Sequence, residues 1–212
     1  MNKLSFSEDV LQKKGKSREI SLIIGNRVPR EFFITSGIGE SDITIHAGSY
    51  DKAVRECGIE NYNIISYTSI LPKNATMVER PVKMTHGSVM ESITAVSNAK
   101  KGERATAGLI FGWVYDKQTG ENLGGLVAEY NEHDDEETAK RILKASMNEM
   151  LQIRYGDNND IEFRDMQIIV RSFIPKKKYG TAVVAICFAN HSYPIVGYEY
   201  SDNGNVILKK NN

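Results

Sequence analysis

The chain is 212 residues long and carries 27 Lys and Arg against 27 Asp and Glu, so its formal net charge is zero. That balance argues against a nucleic-acid protein held by phosphate contacts and offers no polybasic attraction to a membrane surface. With 41% hydrophobic and 25% charged residues the composition is that of a globular protein, and two cysteines, Cys57 and Cys187, are too few for a disulfide framework or a thiolate zinc site and read as buried thiols.

Residues 1–19 are polar and charge-mixed, with KKGKSRE at 13–19, and read as an N-terminal extension without the apolar stretch of a signal peptide. Short β-rich runs follow: ISLIIG at 20–25, EFFITS at 31–36 and DITIH at 42–46. SYDKAVREC at 49–57 predicts a short helix, with Ser49 as its N-cap and Gly58 as its stop. NIISYTSIL at 63–71 reads as one strand cut by Pro72, and 86–99 leans to strand over helix. The runs 106–116 and 122–131 flank the polar turn KQTGE and predict a β-hairpin.

A long helix is expected over 134–154, where Ala139, Ile142, Leu143, Met147, Met150 and Leu151 form one apolar stripe. Asp134, Asp135, Glu136 and Glu137 crowd its start and Arg154 its end, an order that complements the helix dipole. Strands over 163–174 and 181–189 flank the basic turn PKKKYG. The longest apolar run, AVVAICFA at 182–189, falls far short of the ~20 residues that cross a bilayer and reads as a buried strand. The tail can fold as a hairpin through Asp202-Asn203-Gly204. With no repeat or linker, residues 20–212 are expected to form one domain of the α+β or α/β class, soluble and cytoplasmic, with its thiols reduced.

Standard catalytic motifs are absent. Gly37-Ile38-Gly39 and Gly124-Gly125 are too short for a dinucleotide fingerprint and read as turn or close-packing glycines. His46, His86, His133 and His191 are widely separated, so no metal site is expected. Ser69 lies in no G-x-S-x-G elbow. Trp113 reads as packing. Spacing alone leaves an α/β domain of open role.

The segment ENYNIISYTSILPK at 60–73 resembles the self-cleavage region of pyruvoyl-dependent arginine decarboxylases. GIGESD at 37–42, YDKA at 50–53, HGSVMESI at 86–93, ATAGLIFGWVYD at 105–116 and GGLVAEY at 124–130 are similar to further blocks of that family, in the same order. The resemblance spans roughly residues 20–190, and the Thr-Ser pair at 68–69 resembles the bacterial, chlamydial-type branch.

The resemblance implies a four-layer αββα sandwich, a homotrimer with sites between subunits, and a proenzyme that cleaves itself between Thr68 and Ser69. A β chain of 1–68 and an α chain of 69–212 would result, the latter capped by a covalent pyruvoyl group made from Ser69. The implied reaction converts L-arginine to agmatine and carbon dioxide, with a functional link to an arginine–agmatine exchanger. By matching position, Glu129 would be the catalytic acid, Asp51 would hold the guanidinium, and Asn63 would support the carbonyl of Thr68 and later orient the pyruvoyl. Two alternatives stay open: the same chemistry on another amino acid, and an uncleaved trimeric protein that only binds arginine or a related cation.

Overall fold

The computed structural model describes residues 19–81, 85–156, 160–202 and 205–210. In chain order the elements are β1 (Glu19–Ile24), β2 (Val28–Pro29), β3 (Glu31–Ser41), a π-turn (Ile45–Tyr50), α1 (Asp51–Cys57), β4 (Asn63–Ser66), β5 (Ile70–Leu71), β6 (Thr76–Met77), β7 (Val89–Lys100), β8 (Ala105–Asp116), β9 (Asn122–Tyr130), α2 (Glu136–Tyr155), β10 (Ile161–Phe173), β11 (Tyr179–Phe188), β12 (His191–Ser192), β13 (Ile195–Asp202) and β14 (Asn205–Lys210). The chain divides into two compact units, with β1, β13 and β14 in one and residues 28–192 in the other.

In the larger unit two sheets carry the architecture, ordered β4-β7-β11-β3-β6 and β10-β8-β9-β5. Strand alternation says which way each face looks. On β11, Ala182, Val184, Ile186 and Phe188 join a core shared with Ala105, Ala107, Leu109, Phe111 and Val127 of the second sheet. The intervening Val183, Ala185 and Cys187 pack instead with Ala53, Val54 and Cys57 of α1. This central strand is buried on both faces, which accounts for its unbroken apolar run. On the second sheet, Ile110, Val114, Leu126, Ala128 and Tyr130 meet Ala139, Leu143 and Met147 of α2. The unit is thus an α+β fold, mostly β, with one helix packed against each sheet.

α2 begins where expected, and Asp135 caps it by accepting the Thr138 N–H at 2.8 Å. The Gly37-Ile38-Gly39 pair proves to be a bed for α1. A Cβ on Gly37 would lie 2.3 Å from the Ala53 carbonyl oxygen, and one on Gly39 2.0 Å from that of Ser49. Gly58, at φ +70°, ends the helix as anticipated, and Arg80 Nη1 adds a hydrogen bond to the Cys57 carbonyl at 2.9 Å.

Three local expectations are corrected. Residues 42–46 are a bend leading into the π-turn and form no strand. Ser49 is buried and does not cap α1; its hydroxyl donates to the Ile45 carbonyl at 2.6 Å and pairs with Thr181 Oγ1 at 2.8 Å. The run 63–71 is two strands, with β4 in one sheet and β5 in the other. The paired strands 195–202 and 205–210 agree with a terminal hairpin; its residues Asn203 and Gly204, like residues 1–18 of the extension, lie outside the described residues.

Candidate functional site

The break between β4 and β5 is the chemically interesting segment. β4 runs parallel to β7, with Ser66 opposite Ser92, and the Tyr67 N–H continues that ladder by donating to the Ser92 carbonyl at 2.7 Å. β5 runs antiparallel to β9, and the Val127 N–H donates to the Ser69 carbonyl at 3.0 Å. The chain therefore leaves one sheet at Tyr67 and is held by the other at Ser69, with Thr68 between. The Ile70 N–H donates back to the Thr68 carbonyl at 3.0 Å, so the main chain doubles over at Ser69. Thr68 is exposed and Ser69 half-buried. The Tyr67 ring packs beside Phe188, with centroids 5.6 Å apart, and seats the residue before this bend in the inter-sheet core.

Glu129 lies on β9, two residues beyond Val127. Because Leu126, Ala128 and Tyr130 face α2 while Val127 faces the other sheet, alternation turns Glu129 to the same side as Val127. With Ser69 opposite Val127, the backbones of Ser69 and Glu129 are on the order of 7 Å apart. Glu129 stands at the surface, and partial desolvation holds its carboxyl above the ordinary glutamate value.

Asp51 and Asn63 are brought together elsewhere. Both line an open groove of about 710 Å³, with His46, Tyr50, Glu60 and Tyr62. Asp51 opens the first turn of α1 and is exposed. Asn63 starts β4, and its Nδ2 donates to the Gly87 carbonyl at 2.8 Å, which ties the groove wall to the turn before β7. The groove presents two carboxylates and three rings, and none of its lining residues is Lys or Arg; that chemistry suits a cation. Among the described residues the groove lining includes neither Thr68, Ser69 nor Glu129. Within one chain, then, the five residues form two groups: Asp51 with Asn63 on the groove, and Thr68 and Ser69 beside the strand of Glu129.

Other reactive candidates are quiet. Burial pushes the Cys57 thiol up to about 11 and the Cys187 thiol to about 12, so both stay protonated near neutral pH. Among the described residues no helix is long and apolar enough to cross a membrane. The feature that the sequence does not reveal is the hydrogen bond from the Ile70 N–H to the Thr68 carbonyl, since a backbone donor leaves no residue-type signal.

Comparison with known proteins bears on this geometry. Residues 31–193 match the family model described as pyruvoyl-dependent arginine decarboxylase. The chain is 35% identical over 187 residues to the pyruvoyl-dependent arginine decarboxylase AaxB of Chlamydia abortus, covering 78% of this chain and 93% of that protein. The corresponding Chlamydia pneumoniae protein is 36% identical over 188 residues with the same coverage. A pyruvoyl-dependent arginine decarboxylase of Methanopyrus kandleri is 27% identical over 162 residues, covering 76% of this chain and 97% of that protein. Glu129, Asp51, Asn63 and the Thr68–Ser69 bend all fall inside the matched span, and the chain belongs to the pyruvoyl-dependent arginine decarboxylase family.

Proposed function

We propose that this chain is the proenzyme of an arginine decarboxylase that cuts itself between Thr68 and Ser69 and converts L-arginine to agmatine and carbon dioxide. The observation that carries the reading is the bend at Ser69 inside a family match of this extent. A serine hydroxyl and the carbonyl of the preceding residue can close a five-membered ring, and a backbone already bent and tethered on both sides lowers the entropy cost of that closure. Attack by the Ser69 hydroxyl on the Thr68 carbonyl turns the amide into an ester. Elimination then frees a chain ending at Thr68, and hydrolysis of the resulting dehydroalanine, with loss of ammonia, leaves a pyruvoyl cap at position 69. The residues fit that group: Ser69 is half-buried and its carbonyl is anchored to β9.

The pyruvoyl group, once formed, supplies the electron sink for the pair released as carbon dioxide departs. The remaining roles belong to side chains. Glu129, whose carboxyl desolvation holds above the ordinary glutamate value, returns a proton to the carbon that lost its carboxylate. Asp51 takes the guanidinium through two parallel hydrogen bonds, a geometry that an ammonium cannot match and that favours arginine over lysine or ornithine. Asn63 orients the reacting end.

Asp51 and Asn63 open on the groove while Ser69 and Glu129 belong to the other sheet. We accordingly propose that sites are completed between protomers of a homotrimer of four-layer αββα sandwiches. Each turnover consumes a proton, which suits acid resistance or polyamine supply in the cytoplasm, in concert with an arginine–agmatine exchanger.

Intact-mass measurement of purified protein tests the reading. Two fragments are expected, of about 7.5 and about 16 kDa at roughly 110 Da per residue, the larger lighter by the lost ammonia. Ser69→Ala is expected to give one uncut, inactive chain. A Ser69→Ala protein that still splits and turns over arginine overturns the scheme.

A further inference from the structure

The hydrogen bond from the Ile70 N–H to the Thr68 carbonyl spans a single residue, which makes 68–70 a γ-turn centred on Ser69. Among the described residues Asp165 is the one non-glycine with positive φ, so Ser69 has negative φ and the turn is of the inverse, unstrained kind. The neighbouring amides are committed elsewhere. The Tyr67 N–H goes to Ser92 and the Val127 N–H to the Ser69 carbonyl. The side-chain amide of Asn63, expected near Thr68, donates to the Gly87 carbonyl. Ile70 stands opposite Leu126 in the β5–β9 pair, yet its own N–H turns back to Thr68.

We propose that the Ile70 backbone N–H is the oxyanion donor for chain cleavage, an assignment that rests on the Thr68–Ser69 reading above. In the first step the Ser69 Oγ–C bond to the Thr68 carbonyl carbon forms, and the carbonyl π pair moves onto the Thr68 oxygen, where the Ile70 N–H already points. That pair then returns, the Thr68 C–Ser69 N bond breaks, and the hydroxyl proton ends on the Ser69 nitrogen. The step is an isomerisation of amide to ester and needs no co-reactant. An oxyanion donor works from about 2.7–3.1 Å of the developing charge; here the ground-state distance is 3.0 Å. The oxygen moves little as its carbon becomes tetrahedral, so the donor is in place before reaction begins. The Ile70 side chain, 42% exposed, takes no part.

Replacing the Ser69–Ile70 amide by an ester, through an α-hydroxy acid at position 70, deletes this N–H and keeps the side chain. Cleavage at 68–69, followed by intact mass, is expected to slow about 10²-fold. A fragment ending at residue 69 would report hydrolysis of the introduced ester, and its mass separates it from authentic cleavage. Ile70→Pro removes the same donor genetically, and its far-UV spectrum and melting establish that it folds before its rate is compared. If the parent cleaves and a folded ester variant cleaves equally fast, the proposal is overturned. If the parent itself never cleaves, the reading beneath it fails instead. A crystal structure of Ser69→Ala supplies an arm independent of rate: an Ile70 N to Thr68 O distance of about 3 Å supports the assignment, and a separation beyond hydrogen-bond reach refutes it.

Discussion

Glu129 is the residue whose chemistry is most directly exposed to test. Desolvation raises its carboxyl above the ordinary glutamate value, so the folded protein holds a proton that the unfolded chain would release. The sign follows: this group's contribution to stability is complete below the unfolded pKa and is lost as pH climbs through the folded one. Glu129→Gln, which cannot ionise, is therefore expected to melt like the parent near pH 4 and above it near pH 8, by scanning calorimetry at both. The same variant is expected to cleave normally and decarboxylate about 10²-fold more slowly, because a positioned acid contributes that order in rate. Full turnover in Glu129→Gln would remove it from the reaction. Resemblance singled out Glu129 but not its outlook, since facing Val127's side follows from which alternate residues α2 covers.

At the scale of elements the reading from sequence did best where periodicity is strong. The apolar stripe of α2, the β8–β9 hairpin and the doubly buried β11 all follow from pattern alone. It failed at 42–46, where alternating Ile43 and Ile45 imitate a strand and the chain coils into the π-turn that feeds α1. It also missed the division of 63–71, because β propensity says nothing about which sheet a strand joins. The glycines under α1 were open to two readings, turn or close packing, and the approach of the Ser49 carbonyl decides for packing. Gly39→Ala puts a methyl against backbone that has no flexible end to yield, and it is expected to cost about 1–3 kcal/mol. Urea denaturation measures that loss. The groove wall carrying Asp51 would shift with it, since Asp51 begins the displaced helix.

Across the whole molecule, the layered sandwich was expected from resemblance alone, and no local signal says that the two groups of site residues lie apart in one chain. That separation is a property of layer order: α1 and β4 supply the groove, β5 and β9 the bend. The match to the family ends at residue 193 and begins at 31, whereas β1, β13 and β14 form a sheet from the flanking segments, paired Glu19 to Ser201 and Gly197 to Lys210.

The tethers on either side of Thr68 have a consequence for assembly history. Tyr67 is fastened to Ser92 and Ser69 to Val127, so each stub keeps its own anchor after a nick, and the two pieces should stay associated as one particle through gel filtration. On the proposed reading, however, the order of events is irreversible. Polypeptides 1–68 and 69–212 translated separately and mixed are expected to rebuild the scaffold yet remain inert toward arginine, because a keto terminus can arise only from a continuous precursor. On the proposed reading folding comes first and scission second, which would make the intact translation product a single-use machine for its own last covalent step.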